Sequence, residues 1–288
     1  MSTPPKPVPD VLKILGATST KKVVIVEGPT DRAVCEKWLQ KLAAPSLFSG
    51  KVEVVDGGGK GEGGGRSVVI TALEWFRDQG GNPARVFGLV DRDAWDQAVI
   101  LHWTTNLPQL RVNPDRHTLE NYFCAPDEIV PALLNINPAW ASQGVALRAQ
   151  IESRQQDYMD HWALLTTTDR LKDRMMQEGY PGHFANAIPI PPDPDIQTRF
   201  QQWAGVMNAA AAFTEFDQLR GVARTASSNQ AYRSHVWGKL FYNQIVYAAP
   251  SGLQSIQSKP GEDWMIDLAE FASQVPADIA AILQPLLV

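Results

Sequence analysis

Cysteine is scarce in this sequence of 288 residues, which contains only Cys35 and Cys124. The two are far apart in the chain, and no C-x-x-C pair is present. This argues against a disulfide-stapled scaffold and against a structural zinc site, and it is typical of a reducing compartment.

The chain also lacks a block of basic residues. It has 26 basic and 31 acidic residues, a formal net charge of −5, so composition alone does not indicate nucleic-acid binding, although a local basic surface stays open. The first residues, MSTPPKPVPD, lack the charged and apolar regions of a signal peptide. No apolar run reaches the length of a membrane-spanning helix. We therefore expect a soluble, cytoplasmic protein without membrane contact.

Strand-like and helix-like segments alternate between residues 21 and 125. The predicted strands are VVIVE, KVEVVD and RVFGLVD, and the predicted helices between them are DRAVCEKWLQKLA and RSVVITALEWFRD. The first strand is a continuous apolar run, as expected for a strand covered on both faces. Strands and helices at this spacing predict parallel βαβ units with right-handed crossovers.

After about residue 125 the strand pattern disappears and helical periodicity dominates. A proline-rich connection, IPIPPDPD, separates two helical blocks. The sequence therefore predicts an α/β protein with a Rossmann-like parallel sheet flanked by helices and a large all-helical insertion or addition. We expect a flexible segment (1–20), an α/β core (21–125), a helical region for partner contact or dimerisation (126–230) and C-terminal helices that return to the core (231–288).

Three predicted strands end on an acid, namely Glu27, Asp56 and Asp91. In a parallel sheet these ends share one edge, where open α/β folds place their ligands. Asp31 and Asp93 follow closely in the chain and extend this set. Two carboxylates ~4 Å apart repel by about 4 kcal/mol at an effective dielectric near 20. A divalent cation relieves several such repulsions together, and Mg²⁺ prefers oxygen ligands.

Each acid also has an ordinary structural explanation. Asp31 in PTDR is well placed to stabilise a helix N-terminus. Asp91 and Asp93 can belong to a solvated turn, and Asp56, which precedes three glycines, is better explained as a turn residue than as a ligand. The combination of an acid after the first strand and Asp-x-Asp after the third carries more weight than any single residue.

That combination resembles the TOPRIM domain of topoisomerases, primases, small ribonucleases and OLD-type nucleases. The segments VVIVEGPTDRAV, VEVVDGGGKG and VFGLVDRD carry the resemblance, which covers roughly residues 20–125. The stretch DGGGKGEGGG is similar to the glycine turn after the second TOPRIM strand. It is not a P-loop, because no G-K-[ST] sequence closes it.

The OLD-like branch has further residues after Asp-x-Asp that match this sequence. HTLENYF supplies Thr118 and Glu120, and HVWGKLF supplies Lys239. Lys239 is explained equally well as a solvent-facing lysine on a helix. The Glu-Asn-Tyr-Phe stretch also resembles stand-alone TOPRIM proteins that work beside an ABC-type ATPase in phage defence, such as PARIS effector subunits. This resemblance implies the toxic effector of an anti-phage system, a homodimer restrained by an ATPase partner.

The resemblance implies a metal-dependent endonuclease that cleaves structured RNA such as tRNA, or DNA. Its cofactor would be Mg²⁺, with Mn²⁺ as a substitute, and two ions would bind the attacking and leaving oxygens of an in-line displacement. Glu27, Asp91 and Asp93 would hold one ion. Asp31 and Glu120 would favour the second.

Lys239 would stabilise the negative charge of the transition state. Two other functions stay open. One is a different Mg²⁺-dependent phosphoryl-transfer enzyme, although Glu27 stands where a haloacid-dehalogenase-type phosphatase needs its nucleophilic Asp. The other is a non-catalytic module whose acidic edge binds a metal or a partner; Glu120 and Lys239 argue for catalysis instead.

Overall fold

The structure is a computed structural model of the whole chain. It describes residue 10 and residues 19–43, 45–57, 65–79, 85–113, 115–136, 138–178, 190–202, 208–241 and 263–288. The lead-in up to residue 18, apart from residue 10, and most of the glycine turn (58–64) lie outside the described residues. By their contacts the residues group into two units, which we call the sheet unit and the helical unit.

The sheet unit comprises residues 3–92, 96–115 and 259–288. Its four strands are all parallel, in the order β2-β1-β3-β4. The strands are β1 (Lys22–Val26), β2 (Val52–Asp56), β3 (Val86–Val90) and β4 (Leu110–Val112). Its helices are α1 (Pro29–Leu42), α2 (Pro45–Lys51), α3 (Arg66–Asp78), α4 (Gln97–Asn106), α12 (Asp263–Phe271), α13 (Ala277–Leu283) and a final 3-10 turn (Gln284–Leu287).

Strand β1 lies in the middle of this sheet, between β2 and β3. Residues 23–26 are fully covered, which explains why the strand is an uninterrupted apolar run. Helix α3 packs very close to β3: a Cβ built on Gly88 would lie 2.6 Å from Val69 Cγ1 and 2.8 Å from Leu73 Cδ1. Only glycine leaves room for this approach of helix to strand.

The C-terminal helices of the sheet unit pack near α1. Helix α12 contacts α1, and the Lys37 ammonium lies 3.0 Å from the Glu270 carboxylate. The Asn113 side chain after β4 donates to Asp278 at 3.1 Å. The chain therefore completes its parallel-sheet unit with residues from near its C-terminus.

The helical unit comprises residues 93–95 and 116–258, together with the first two residues. Its elements are a 3-10 turn (Leu119–Phe123), α5 (Pro126–Ile136), a second 3-10 turn (Pro138–Gln143), α6 (Gly144–Ser153), α7 (Gln155–Glu178), α8 (Asp193–Gln202), α9 (Ala209–Thr225), α10 (Ser228–Ser234) and α11 (Gly238–Phe241). Helices α7, α8 and α9 share an apolar core that includes Trp162, Phe200 and Phe216.

The prediction of a parallel sheet flanked by helices, with an additional helical region, is confirmed. The three predicted strands and the helices around them are present, whereas β4 and α4 have no counterpart in the sequence-based prediction. Within the described part of the chain, no helix combines the length and apolarity that crossing a membrane requires.

Candidate functional site

The first strand-end acid, Glu27, is held at the end of the neighbouring strand. Strands β1 and β3 pair in parallel, so their C-terminal ends lie at the same edge of the sheet. Oxygen Oε1 of Glu27 accepts a hydrogen bond of 2.9 Å from the backbone N–H of Asp91. The first acid of Asp-x-Asp is therefore joined directly to the acid that ends β1.

Gly65, in the sheet unit, lies close to Glu27. The backbone N–H of Gly65, just before α3, donates to the Glu27 carbonyl at 3.1 Å. Gly65 has φ = 105°, a conformation that other residues rarely adopt. A Cβ at that position would also stand 3.8 Å from Glu27 Oε2. The chain after the glycine turn thus returns to the strand-end acid.

Asp31 lies in the first turn of α1, where its negative charge interacts favourably with the helix dipole. Its Oδ2 is 3.5 Å from the place where a Cβ of Gly28 would stand. The carboxylate therefore reaches back along the start of the helix toward the residue that follows Glu27. This geometry is compatible with both explanations of Asp31, the helix-terminal one and the metal-ligand one.

Asp93 occupies an unusual turn that groups with the helical unit, whereas Asp91 groups with the sheet unit. It has φ = 48°, in the left-handed region. Such a conformation costs roughly 1–3 kcal/mol and persists where the surroundings enforce it. The Asp93 N–H donates to the His117 carbonyl at 2.7 Å, which is one such constraint.

Glu120 is a buried acid in the 3-10 turn of the helical unit. Its side chain is 6% exposed, and its Oε2 has no hydrogen-bond partner among the described residues. Leaving a buried polar atom without a partner is unfavourable unless it serves a ligand or an ion. Within the part of the chain that the structure describes, the environment of Glu120 therefore leaves room for an additional cationic or hydrogen-bonding group.

Asn121, next to Glu120, fixes this turn internally. The Thr118 hydroxyl and the Thr118 N–H both donate to Asn121 Oδ1, at 2.9 and 3.0 Å. The bond from the Thr118 N–H is part of a capping box, in which residues at the two ends of the first turn satisfy one another. Thr118, which could have oriented a ligand, thus has its hydroxyl bonded within the same turn.

The side-chain amide of Asn121 also bonds to the segment that precedes Lys239. Its amide nitrogen Nδ2 donates to the carbonyls of Tyr232 at 3.1 Å and Val236 at 2.8 Å. Gly238 packs against Glu120, because a Cβ at position 238 would lie 2.4 Å from Glu120 Cβ. The short helix containing Lys239 therefore stands directly beside Glu120.

The Lys239 side chain lies outside the described residues, so its predicted catalytic position stays a prediction. The neighbouring Val236 and Leu240 are buried, at 0% and 9% exposure. Tyr242 and Ile245, further along the same segment, lie outside the described residues.

Residues around this site have structural roles that the sequence did not reveal. Arg116 forms a two-pronged ion pair with Glu128 at 3.0 Å for both contacts, and its guanidinium stacks over the Tyr122 ring. His117 is buried, with its ring centroid 4.9 Å from that of Trp237. Burial among aromatic rings favours a structural role for His117 over proton transfer.

Asn121 and Gly238, which shape the surroundings of Glu120, could have been found from weak sequence signals. Asn121 lies three residues after Thr118, which is the capping-box spacing, although Glu or Gln is usual there. Gly238 interrupts an otherwise helical pattern just before Lys239, and an isolated glycine of that kind often has a packing reason.

The donor chemistry at these positions is compatible with a hard divalent cation. Carboxylate oxygens are the ligands that Mg²⁺ prefers, and Glu120 presents a buried one that no described residue hydrogen-bonds. Among the residues that the structure describes, no three Asp, Glu, His or Cys side chains are grouped closely enough to hold an ion. The metal-ligand assignments therefore stay predictions.

Part of the sheet unit matches a known protein family. Residues 20–68 match the family described as "Overcoming lysogenization defect protein-like, TOPRIM domain". A comparison with curated proteins finds no match. The matched segment contains β1, α1 and β2 and includes Glu27 and Asp31, but it ends before Asp91. It supports the OLD-like TOPRIM branch, and TOPRIM domains bind divalent metal ions and usually act on nucleic acids.

Proposed function

We propose that this protein is a divalent-metal-dependent endonuclease of the OLD-like TOPRIM type. The observation that carries the proposal is the hydrogen bond from the Asp91 N–H to Glu27 Oε1 at 2.9 Å. It joins the two sequence motifs of the resemblance, the acid after the first strand and Asp-x-Asp after the third. The family match at residues 20–68 supports the same assignment independently of Asp91.

The proposed division of labour follows the residue types. Glu27, Asp91 and Asp93 would bind one ion, and Asp31 and Glu120 would favour a second. Bound Mg²⁺ or Mn²⁺ would act as a Lewis acid on the attacking and leaving oxygens.

The carboxylates would orient the scissile phosphate through these ions. Lys239, directly after Gly238, would add a positive charge that stabilises the transition state more than the ground state. The packing of Gly238 against Glu120 supports this assignment, since it brings the Gly-Lys backbone to a predicted ligand.

The finer proposal is that the nuclease is an effector in anti-phage defence. The motivation is the Glu-Asn-Tyr-Phe stretch, which resembles PARIS-type effector subunits. In that proposal the substrate is structured RNA such as tRNA, or DNA. The protein would act as a homodimer and would be restrained by an ABC-type ATPase partner, with the helical region serving partner contact.

One assay tests the nuclease activity and its substrate together. The purified full-length protein is incubated with supercoiled plasmid DNA and with total tRNA, in Mg²⁺, in Mn²⁺ and in EDTA. Cleavage of one substrate in metal and none in EDTA is expected. Cleavage that persists in EDTA would contradict metal dependence.

Failure to cleave either substrate, combined with measurable Mn²⁺ binding, would favour a non-catalytic metal-binding module. Turnover of phosphomonoesters or nucleotides without cleavage of nucleic acid would instead favour another Mg²⁺-dependent phosphoryl-transfer enzyme.

A further inference from the structure

A helix of the helical unit holds the turn that carries Asp93. Arg170, on α7, donates from Nε to the carbonyl oxygen of Ala94 at 3.1 Å. Ala94 directly follows Asp93, and residues 93–95 group with the helical unit although they interrupt a run of sheet-unit residues. The contact therefore links the turn to a helix that is about 75 residues distant in the chain.

The Arg170 guanidinium is itself held in one orientation. Its Nη1 donates to Glu215 Oε1 on α9 at 2.9 Å, and Arg174 Nη2 donates to the other oxygen of the same carboxylate, also at 2.9 Å. Arg170 and Glu215 are partly buried, with side chains 24% and 22% exposed. Because a guanidinium is planar, fixing Nη1 on Glu215 also fixes the direction of Nε toward Ala94.

The turn needs such support because Asp93 adopts the left-handed conformation, with φ = 48°. Two hydrogen bonds bracket the strained residue and its neighbour. The Asp93 N–H is bonded to the His117 carbonyl at 2.7 Å, and the Ala94 carbonyl is bonded to Arg170 at 3.1 Å. Together they constrain the peptide planes on both sides of residues 93–94, which sets the direction of the Asp93 side chain.

We propose that Arg170 is a positioning residue for Asp93. It contacts neither metal nor substrate, and it acts by holding the backbone from which the Asp93 carboxylate projects. The inference rests on the proposed metal-dependent function and goes beyond it, because it assigns the placement of one proposed ligand, Asp93, to a helix of the same unit. That region would then contribute to the chemistry through Arg170 and Glu215 in addition to any partner contact.

The test compares Arg170→Ala with Arg174→Ala in the full-length protein. Both substitutions remove one arginine that pairs with Glu215, but only Arg170 contacts the Asp93 turn. Free Mn²⁺ is followed by electron paramagnetic resonance during titration, which measures metal affinity without any turnover. The melting temperature of each variant checks that it is folded at the titration temperature.

Arg170→Ala is expected to weaken Mn²⁺ binding roughly ten- to a hundredfold, the loss typical when a group that orients a metal ligand is removed. Arg174→Ala is expected to bind Mn²⁺ within about twofold of the wild type, as a surface ion pair contributes little. Arg170→Lys keeps the charge, but a single ammonium group cannot reproduce the planar guanidinium contacts to Ala94 and Glu215 together. An intermediate Mn²⁺ affinity is therefore expected. If Arg170→Ala does not fold, Arg170→Lys against Arg174→Lys provides the same comparison.

The outcomes separate the inference from the proposed function. Equal Mn²⁺ affinity in the Arg170 and Arg174 variants, with a wild type that binds Mn²⁺, would overturn the positioning role alone. A wild type that binds no Mn²⁺ would overturn the proposed metal-dependent function, and the inference with it. Weaker binding in Arg170→Ala that tracks only a lower folded fraction would also count against positioning.

Discussion

Gly238 lies so close to Glu120 that a Cβ at position 238 would stand 2.4 Å from Glu120 Cβ. The same Cβ would be 3.0 Å from the Thr118 hydroxyl oxygen and 3.2 Å from the Asn121 backbone nitrogen. Side-chain rotation cannot relieve the contacts to the Glu120 Cβ and the Asn121 backbone nitrogen, because the backbone fixes both atoms. The glycine before Lys239 is therefore required by its packing against the buried turn.

Gly238→Ala should reduce stability for this reason. Overpacking a tight contact typically costs ~1–3 kcal/mol, and relief would require the 3-10 turn or α11 to shift. The measurement is chemical unfolding followed by circular dichroism. Gly221→Ala in α9 is the matched control, because nothing lies within 4 Å of a Cβ there. That control should be neutral or more stable by up to ~1 kcal/mol; equal losses in both variants would contradict the packing argument.

The substitution Asn121→Asp should reduce the stability of the protein. Asn121→Asp keeps an acceptor for Thr118 but removes the amide donors to the Tyr232 and Val236 carbonyls and places a carboxylate against them. Unsatisfied buried acceptors and a buried charge predict a loss of at least ~2 kcal/mol in the free energy of unfolding.

The same substitution at Asn208 is the control for Asn121. Asn208 is exposed and caps α9 by accepting from the Ala211 N–H at 3.1 Å. Aspartate accepts that bond equally well, so Asn208→Asp should change the free energy of unfolding by less than ~0.5 kcal/mol. A near-neutral Asn121→Asp would show that the two carbonyl contacts contribute little.

Stability should decline in mild acid because of His161. This residue of α7 is 1% exposed, its Nε2 has no hydrogen-bond partner among the described residues, and burial lowers its pKa from 6.5 to about 4. The unfolded chain then binds a proton below pH 6.5 that the folded protein does not bind until near pH 4. Stability from this group is therefore complete above pH 6.5 and falls by about 1.4 kcal/mol per pH unit below it, down to pH 4.

Substitution at His161 checks the assignment. Between pH 6.5 and 4, the free energy of unfolding should depend less steeply on pH in His161→Leu. The difference should correspond to the uptake of about one proton fewer on unfolding. His102→Asn, at an exposed position on α4, is the comparison and should leave the slope unchanged. An unchanged slope in His161→Leu would assign the acid sensitivity to other groups.

Strong local patterns made much of the sheet unit predictable. The apolar run of β1 and the helical spacing of α3 each identify an element without reference to the rest of the chain. Strand β4 was missed because it is three residues long and places Arg111 between two apolar positions. So short a segment acquires strand character only by pairing with β3, which is a long-range contact.

The proximity of Glu27 to Asp91 was predictable from the sequence, whereas contacts between distant segments were not. Glu27 and Asp91 each follow a strand, and the C-terminal ends of neighbouring parallel strands lie at the same edge of a sheet, so their proximity could be inferred. Nothing local indicates that Asn121 bonds to Val236, or that Arg170 contacts Ala94. Such contacts depend on tertiary packing, and single residues with no periodic pattern give no signal for them.

Glu27→Gln tests the metal site most directly. The Glu27 carboxylate accepts a hydrogen bond from the Asp91 N–H, so alanine would leave that half-buried donor without its acceptor. Glutamine keeps an acceptor oxygen and removes only the charge. Cleavage in Mg²⁺ should fall roughly a hundredfold or more, the loss expected when transition-state charge stabilisation is removed, while the melting temperature stays near that of the wild type.

Asp56→Asn is the matched control for Glu27→Gln. Asp56 also ends a strand, but its carboxylate lies 3.8 Å from the Arg32 guanidinium, and no role in metal binding is proposed for it. Because an exposed ion pair contributes at most ~1 kcal/mol, this variant should keep both its stability and its cleavage rate within about twofold of the wild type. If Asp56→Asn and Glu27→Gln lose activity equally, general charge at the sheet edge would explain the result better than a defined ligand. If Glu27→Gln cleaves at the wild-type rate, the first strand-end acid is not a metal ligand, and the endonuclease proposal loses the observation that carries it.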